Sequence, residues 1–153
     1  LPMTSKSLAE LKEFIRATSL PFIIKGVLSE QDAEKCLEAG AQGIVVSHHH
    51  GIMDYAVPPL IALPKIAKLV DHKMPIFVDC GVMSGMDAFK ALALGATAVS
   101  AGRVIMGPLG KSGAKGVAEA INQMTEDLAG AMARTCSPDL GHIDPGVIWH
   151  KDF

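Results

Sequence analysis

The chain has 153 residues, of which 49% are hydrophobic and 20% charged, with a formal net charge of −2. This balance predicts one compact domain and provides no basic surface for nucleic acid. The three cysteines are widely spaced, no apolar run approaches membrane-span length, and no signal-peptide pattern opens the chain, so we expect a cytoplasmic protein.

The predicted elements alternate between helices and short apolar strands. An amphipathic helix comes first, over residues 5–18, with its apolar residues on one face. Strands are predicted at 22–25, 43–47, 76–79 and 98–101, because these runs are continuous and rich in β-branched residues. Between them lie helices from Ser29 to Gly40, over 58–72, and from Ser84 to Gly95, and a long helix closes the chain over 113–135.

Two segments, 20–47 and 74–102, follow one plan and are an internal repeat. Pro21 aligns with Pro75, and one extra residue near Cys80 brings Gly26 onto Gly81 and the later glycines into register. Strands that alternate with helices predict parallel, right-handed βαβ units.

Four strands and five helices make half of an eight-stranded TIM-type (β/α)₈ barrel, which usually needs about 250 residues. Residues 1–153 are therefore interpreted as a single domain, the C-terminal half of such a barrel. We expect that its N-terminal half is missing from this sequence, which opens on Leu1 rather than a methionine. A half-barrel leaves two unpaired sheet edges, so either a partner supplies the other strands or the sheet is open and doubly wound.

Polar residues follow all four predicted strands. Lys25 ends the first, Ser47 and three histidines the second, Asp79 the third, and Gly102 with Arg103 the fourth. In parallel α/β folds the carboxyl ends of the strands form the ligand-binding side. Arginine beside backbone amides suits a phosphate group, so the sequence predicts an anion site there.

The histidine run, His48 to His50, raises the question of a metal site. Adjacent residues on an extended segment point to opposite sides, so three in a row rarely converge on one ion. No other metal-ligand spacing occurs in the sequence. We therefore predict no metal site.

The segments "LPFIIKGVLSEQDA", "GAQGIVVSHHHG" and "PIFVDCGVMSGMDAFKALALGATAVSAGR" closely resemble the FMN-dependent α-hydroxy-acid oxidases and dehydrogenases, which include glycolate and lactate oxidases. The resemblance runs from about Ser7 to about Met132 and matches the second half of that family's barrel. It implies FMN as cofactor, bound at the carboxyl ends of the strands, and a small 2-hydroxy acid as substrate.

The resemblance assigns FMN-binding roles to six residues. Lys25 lies beside the flavin and stabilises its reduced, anionic form, which is electrostatic catalysis. Ser47 contacts the flavin ring. Asp79 and Gly81 hold the ribityl chain and phosphate, and Gly102 and Arg103 complete the phosphate pocket.

The resemblance assigns His49 as the catalytic base that removes a proton from the substrate, a task that suits imidazole because its ordinary pKa is near neutral. The neighbours depart from the family motif, since His48 replaces an asparagine and His50 a glycine. The arginine that grips the substrate carboxylate falls on Ile52. We expect His48 and His50 to contribute to substrate binding in its place.

A second family arginine, in the phosphate segment, falls on Met83. That substitution leaves Arg103, backbone amides and Lys111 to meet the phosphate.

The leading prediction is a fragment of an oxidoreductase that passes hydride from a lactate- or glycolate-like acid to flavin. One alternative is an FMN-dependent isopentenyl-diphosphate isomerase, and another is an inactive half-barrel that binds phosphate or FMN weakly. The partners expected are the N-terminal half of the barrel and further copies in a homo-oligomer. The isolated chain is expected to be inactive and to lack flavin.

Overall fold

The computed structural model describes residues 4–149. Its helices are α1 (Leu8–Arg16), α2 (Glu30–Ala39), α3 (Pro59–Val70), α4 (Gly85–Ala93) and α5 (Arg103–Arg134), followed by a 3₁₀ turn at Pro145–Val147. The strands are β1 (Ile23–Val27), β2 (Gly43–Val46), β3 (Ile76–Val78) and β4 (Ala98–Val99). No helix within these residues is long and apolar enough to cross a bilayer.

The four strands form one parallel sheet in the order β1-β2-β3-β4, which confirms the predicted βαβ arrangement. The sheet also reproduces the internal repeat residue by residue. Ile23 pairs with Gly43 in the first unit, and their repeat equivalents, Phe77 and Ala98, pair in the second. The repeat is therefore a repeat of backbone pairing as well as of sequence.

Both repeat helices are capped in the same way. The hydroxyl of Ser29 accepts the backbone N–H of Asp32, and the hydroxyl of Ser84 accepts that of Asp87. Such N-caps satisfy donors that the first helical turn leaves free. At the other ends, the predicted terminal glycines adopt left-handed backbone, with φ of 84° at Gly40 and 105° at Gly95.

The core lies between the sheet and the helices. Its strand residues are Ile44, Val46, Ile76 and Val78, all essentially buried, and they pack against apolar residues of α2, α3 and α4. The opposite face of the sheet is more open, since Ile23 is 46% exposed. In a closed barrel this second face would line the interior.

Two helices differ from their predicted extents. The first spans only Leu8–Arg16 and begins with a capping box between Ser7 and Glu10. The last begins at Arg103 rather than residue 113, and its backbone breaks at Ser112 and Gly113. The turns before this break were missed because Gly107, Pro108 and Gly110 lower the helix propensity of the segment.

Candidate active site

A cavity of about 300 Å³ opens at the carboxyl ends of the strands. It is lined by seven of the nine predicted site residues, which are Lys25, His49, His50, Asp79, Gly81, Gly102 and Arg103. The remaining two, Ser47 and His48, do not line it. Parallel strands end on the same side of the sheet, which explains why residues far apart in sequence meet here.

Lys25 is held by two neighbours. Its Nζ donates a hydrogen bond to the Ser47 hydroxyl at 2.7 Å and forms an ion pair with Asp79 Oδ2. Burial opposes ionisation of Asp79, but hydrogen bonds from Cys80, Lys25 and Ser47 outweigh it and lower the carboxyl pKa. The strand ends therefore present a cation and a carboxylate in direct contact, both facing the cavity.

Ser47 lies beneath the cavity surface and is fully buried. Its oxygen accepts hydrogen bonds from Lys25 Nζ and, at 3.1 Å, from the His49 backbone N–H. It thus connects the end of β1 to the histidine turn. The direct contact with a flavin ring that the sequence suggests remains a prediction, because Ser47 does not line the cavity.

The histidines form a tight turn, so the extended segment assumed from the sequence is wrong. His49, His50 and Gly51 all have left-handed backbone, with φ of 50°, 65° and 78°. Side-chain bonds close this turn: the Ser47 hydroxyl accepts the His49 N–H, and the Gly51 N–H donates to His48 Nδ1 at 3.2 Å. Within residues 4–149, no three His, Cys, Asp or Glu side chains are placed to hold a metal ion.

The turn sends the three imidazoles in different directions. His49 and His50 line the main cavity, and His49 lies directly over Gly26, where an added Cβ would be 2.6 Å from Cε1. His48 instead faces a neighbouring cavity lined by Pro58, Pro59 and Asp87 among others. Because its Nδ1 already accepts the Gly51 N–H, His48 is placed to hold the turn and does not face the main cavity.

The start of α5 forms the end of the cavity where the sequence predicts a phosphate site. Gly102 precedes the helix without a side-chain cap, and nothing lies within 4 Å of the position a Cβ would take there. The first N–H groups of a helix and its dipole favour a bound anion, and Arg103 adds a charge. Lys111 does not line this cavity.

Two apolar side chains lie where the family places arginines. Ile52 is 84% exposed and Met83 is 54% exposed, and both line the cavity. Neither can pair with an anion. Among the described residues, the cavity therefore has one carboxylate, Asp79, and its cationic side chains are Lys25 and Arg103.

Cys80 was missed as a site residue, because in the sequence Asp79-Cys80-Gly81 reads as a simple turn. Its Sγ donates to Asp79 Oδ1 at 3.0 Å and lies 3.5 Å from Ser47 Oγ. Its backbone is left-handed, with φ of 64°, a conformation that favours glycine. The available signal in the sequence was the one extra residue that the second repeat carries near Cys80.

These groups fit part of the FMN that the sequence resemblance implies. The open N-terminus of α5 with Arg103 suits its phosphate, and Lys25 suits the ring region that becomes negative on reduction. Ser100, which follows β4, adds a further polar residue to the same cavity. The residues present therefore match one side of a flavin site.

Comparisons with known proteins agree with this geometry. Residues 3–150 match the family described as FMN-dependent dehydrogenase. The chain is 38% identical to a 2-hydroxyacid oxidase of Dictyostelium discoideum over 94% of its own length and 37% of the relative. It is 44% identical to an L-lactate oxidase of Alicycliphilus denitrificans, over 88% of the chain and 37% of that protein.

Solved structures share the fold. A lactate oxidase of Pediococcus acidilactici superimposes with a TM-score of 0.87 at 34% identity, covering 91% of this chain and 39% of that one. A mandelate oxidase variant carrying a C4a-OH-FMN adduct gives 0.86 at 35% identity, covering 92% and 43%. These neighbours confirm the TIM-barrel fold class. The chain spans little more than a third of the curated relatives, and it belongs to the FMN-dependent dehydrogenase family.

Proposed function

We propose that this chain forms the C-terminal half of an FMN-dependent oxidoreductase that oxidises a small 2-hydroxy acid of the lactate or glycolate type. The observation that carries the proposal is the convergence of Lys25, His49 and Arg103 on one cavity at the strand ends. When bound, FMN supplies the acceptor for the two electrons that leave the substrate carbon.

The proposed roles follow from position. His49 takes a proton from the substrate, and its backbone is held by Ser47. Lys25 places a cation where negative charge develops. Arg103 and the N-terminus of α5 hold the phosphate, with Gly81 and Gly102 leaving room for it, and Asp79 orients Lys25 and the ribityl end.

Substrate binding is proposed to differ from that of the named relatives. Ile52 cannot bind the substrate carboxylate. His50, which lies on the histidine turn and lines the cavity, would bind it instead. A single imidazole N–H is a weaker clamp than the bidentate guanidinium. We therefore expect weaker substrate binding, seen as a high KM rather than a low kcat.

A spectroscopic experiment tests the proposal. A protein in which this chain is joined to the N-terminal half of the barrel is purified, loaded with FMN, and mixed anaerobically with a panel of 2-hydroxy acids. We expect one or more acids to bleach the flavin, and His49→Asn to slow bleaching by about 10²-fold or more while FMN stays bound. Stable flavin colour with every acid would refute the oxidoreductase assignment.

One alternative has support from specific residues. Ile52 and Met83 remove positive charge from the substrate and phosphate regions, which favours an inactive half-barrel that binds FMN weakly. The same purified protein distinguishes the two, since an inactive barrel would bind FMN without bleaching or not bind it at all. The isolated chain is proposed to lack FMN in either case.

The finer location and assembly are also proposals. We propose a cytoplasmic homo-oligomer in which the N-terminal half of the barrel covers the open sheet edges. Cell fractionation and light scattering test the two statements separately.

A further inference from the structure

The cation at the strand ends depends on how one carboxylate is oriented. Asp79 receives Lys25 on Oδ2 and Cys80 on Oδ1, so each oxygen has its own donor. Asp79 in turn faces the cavity beside Lys25. Rotation of this carboxylate would release the lysine from its position.

We propose that Cys80 is a positioning residue, whose thiol holds the Asp79 carboxylate in the orientation that pairs with Lys25. Its consequence for flavin chemistry rests on the proposed function, but the contact itself does not. The thiol acts through Asp79 and is not itself placed in a catalytic step.

One other neutral side chain, Ser47, hydrogen-bonds to the same carboxylate. Its hydroxyl oxygen accepts from Lys25 Nζ and from the His49 N–H, so its one proton is the only hydrogen bond that it can donate. That proton has two possible acceptors, Asp79 and Cys80 Sγ, which lies 3.5 Å from Ser47 Oγ. The thiol is the donor that the structure places on Oδ1, at 3.0 Å, and its removal takes that donor away.

The backbone at Cys80 supports the same conclusion. A φ of 64° is easily adopted by glycine but strained for any residue with a Cβ. The backbone at this position therefore favours glycine, yet it carries a cysteine whose thiol contacts the Asp79 carboxylate. The arrangement trades local stability for a fixed hydrogen bond.

The experiment measures the pKa of Asp79 by carboxyl carbon NMR in the flavin-free chain. Cys80→Ala and Cys80→Gly are expected to raise this pKa by about half a unit or more, because the ionised form loses a donor. Cys80→Ser retains a donor and is expected to stay near the parent value. The other charged or titratable groups on the cavity, Lys25, Arg103, His49 and His50, are common to all variants.

The glycine variant gives the sharper result. Cys80→Gly should raise the melting temperature, since strain is relieved, while it raises the Asp79 pKa. Cys136 provides a matched control because it is exposed and also left-handed, with φ of 54°. Cys136→Gly should raise the melting temperature and leave Asp79 unchanged.

The proposal is overturned if Asp79 has the same pKa in the parent, the Cys80→Ala variant and the Cys80→Gly variant. It is also overturned if the Asp79 pKa in Cys80→Ser is raised as much as in Cys80→Ala. A purely space-filling thiol would give the first of these outcomes. The Asp79 pKa and the melting temperature are both measured without flavin. A failure of FMN binding or of hydroxy-acid oxidation would therefore not affect this test.

Discussion

Gly26 lies directly beneath the His49 ring. It has φ of 103°, and a Cβ there would lie 2.6 Å from His49 Cε1. We expect Gly26→Ala to destabilise the chain by about 2 kcal/mol and to displace the His49 ring, because strain and steric overlap add. Chemical denaturation and the His49 ring NMR signals measure the two effects.

Gly40 is the control that separates backbone strain from steric overlap with a neighbouring side chain. Its φ of 84° is also left-handed, but no atom lies within 4 Å of the Cβ position. Gly40→Ala should therefore cost about 1 kcal/mol and leave His49 in place. Equal costs at the two glycines, with an unmoved His49 signal, would contradict the packing of the imidazole on β1.

Asp79 gives the chain a defined sensitivity to acid. Its folded-state pKa is lowered, so its ionised form stabilises the fold above the unfolded carboxyl pKa of about 4, and that stabilisation is lost as pH falls through the folded value. Asp79→Asn should lower neutral-pH stability by about 1 kcal/mol. The difference from the parent should shrink in urea titrations below a pH of about 4.

The exposed Asp54, on the loop between β2 and α3, is the matched control. Asp54→Asn removes the same charge without removing a contact to Lys25, so it separates a net-charge effect from the loss of that contact. A loss of acid sensitivity in both variants would show that the effect comes from net charge and not from the Lys25 contact.

At this scale the sequence predicted which residues approach the cavity, because polar residues that directly follow apolar parallel strands all lie at one edge of the sheet. It did not predict that Ser47 is buried or that His48 faces elsewhere. Both outcomes depend on the left-handed turn at the histidines. A run of histidines does not predict such a turn, because turns with positive φ are usually formed by Gly, Asn or Asp.

At the level of elements, α4 and α5 approach each other through Gly85. A Cβ at Gly85 would lie 2.1 Å from Met124 O and 2.4 Å from Leu128 N, both backbone atoms of α5 that cannot move aside alone. We expect Gly85→Ala to destabilise the chain by about 2–3 kcal/mol by forcing the two helices apart. Thermal or urea unfolding measures this cost.

Gly107, in the first part of α5, is the matched control because nothing lies within 4 Å of its Cβ position. Gly107→Ala should be neutral or stabilise by up to about 1 kcal/mol through helix propensity. If Gly85→Ala proved equally mild, α4 and α5 would not pack at this distance. The sequence contained the repeat that places α4, but no local pattern identified Gly85 as the contact.

The whole molecule is an arc of four strands with helices on one face. Strand count and order followed from the internal repeat, because two copies of one βαβ plan must pair alike. The count of strands and helices favoured half of a barrel but also fitted an open sheet, and the family resemblance then supported the barrel. The sequence placed the start of the closing helix at residue 113, where the backbone of α5 breaks, but it did not predict the helical turns before that break, which bring the Pro108 carbonyl to 2.4 Å from where a Cβ on Gly116 would lie.

The arc predicts an uneven pattern of backbone protection. Within residues 4–149, β2 and β3 are paired on both sides, whereas β1 and β4 are each paired on one. Amide exchange in the isolated chain should therefore be slowest in β2 and β3 and faster in β1 and β4, whose outer edges open locally. Joining the N-terminal half of the barrel should slow exchange in β1 and β4 selectively. Equal protection of all four strands in the isolated chain would mean that its edges are already paired, and the half-barrel interpretation would then be wrong.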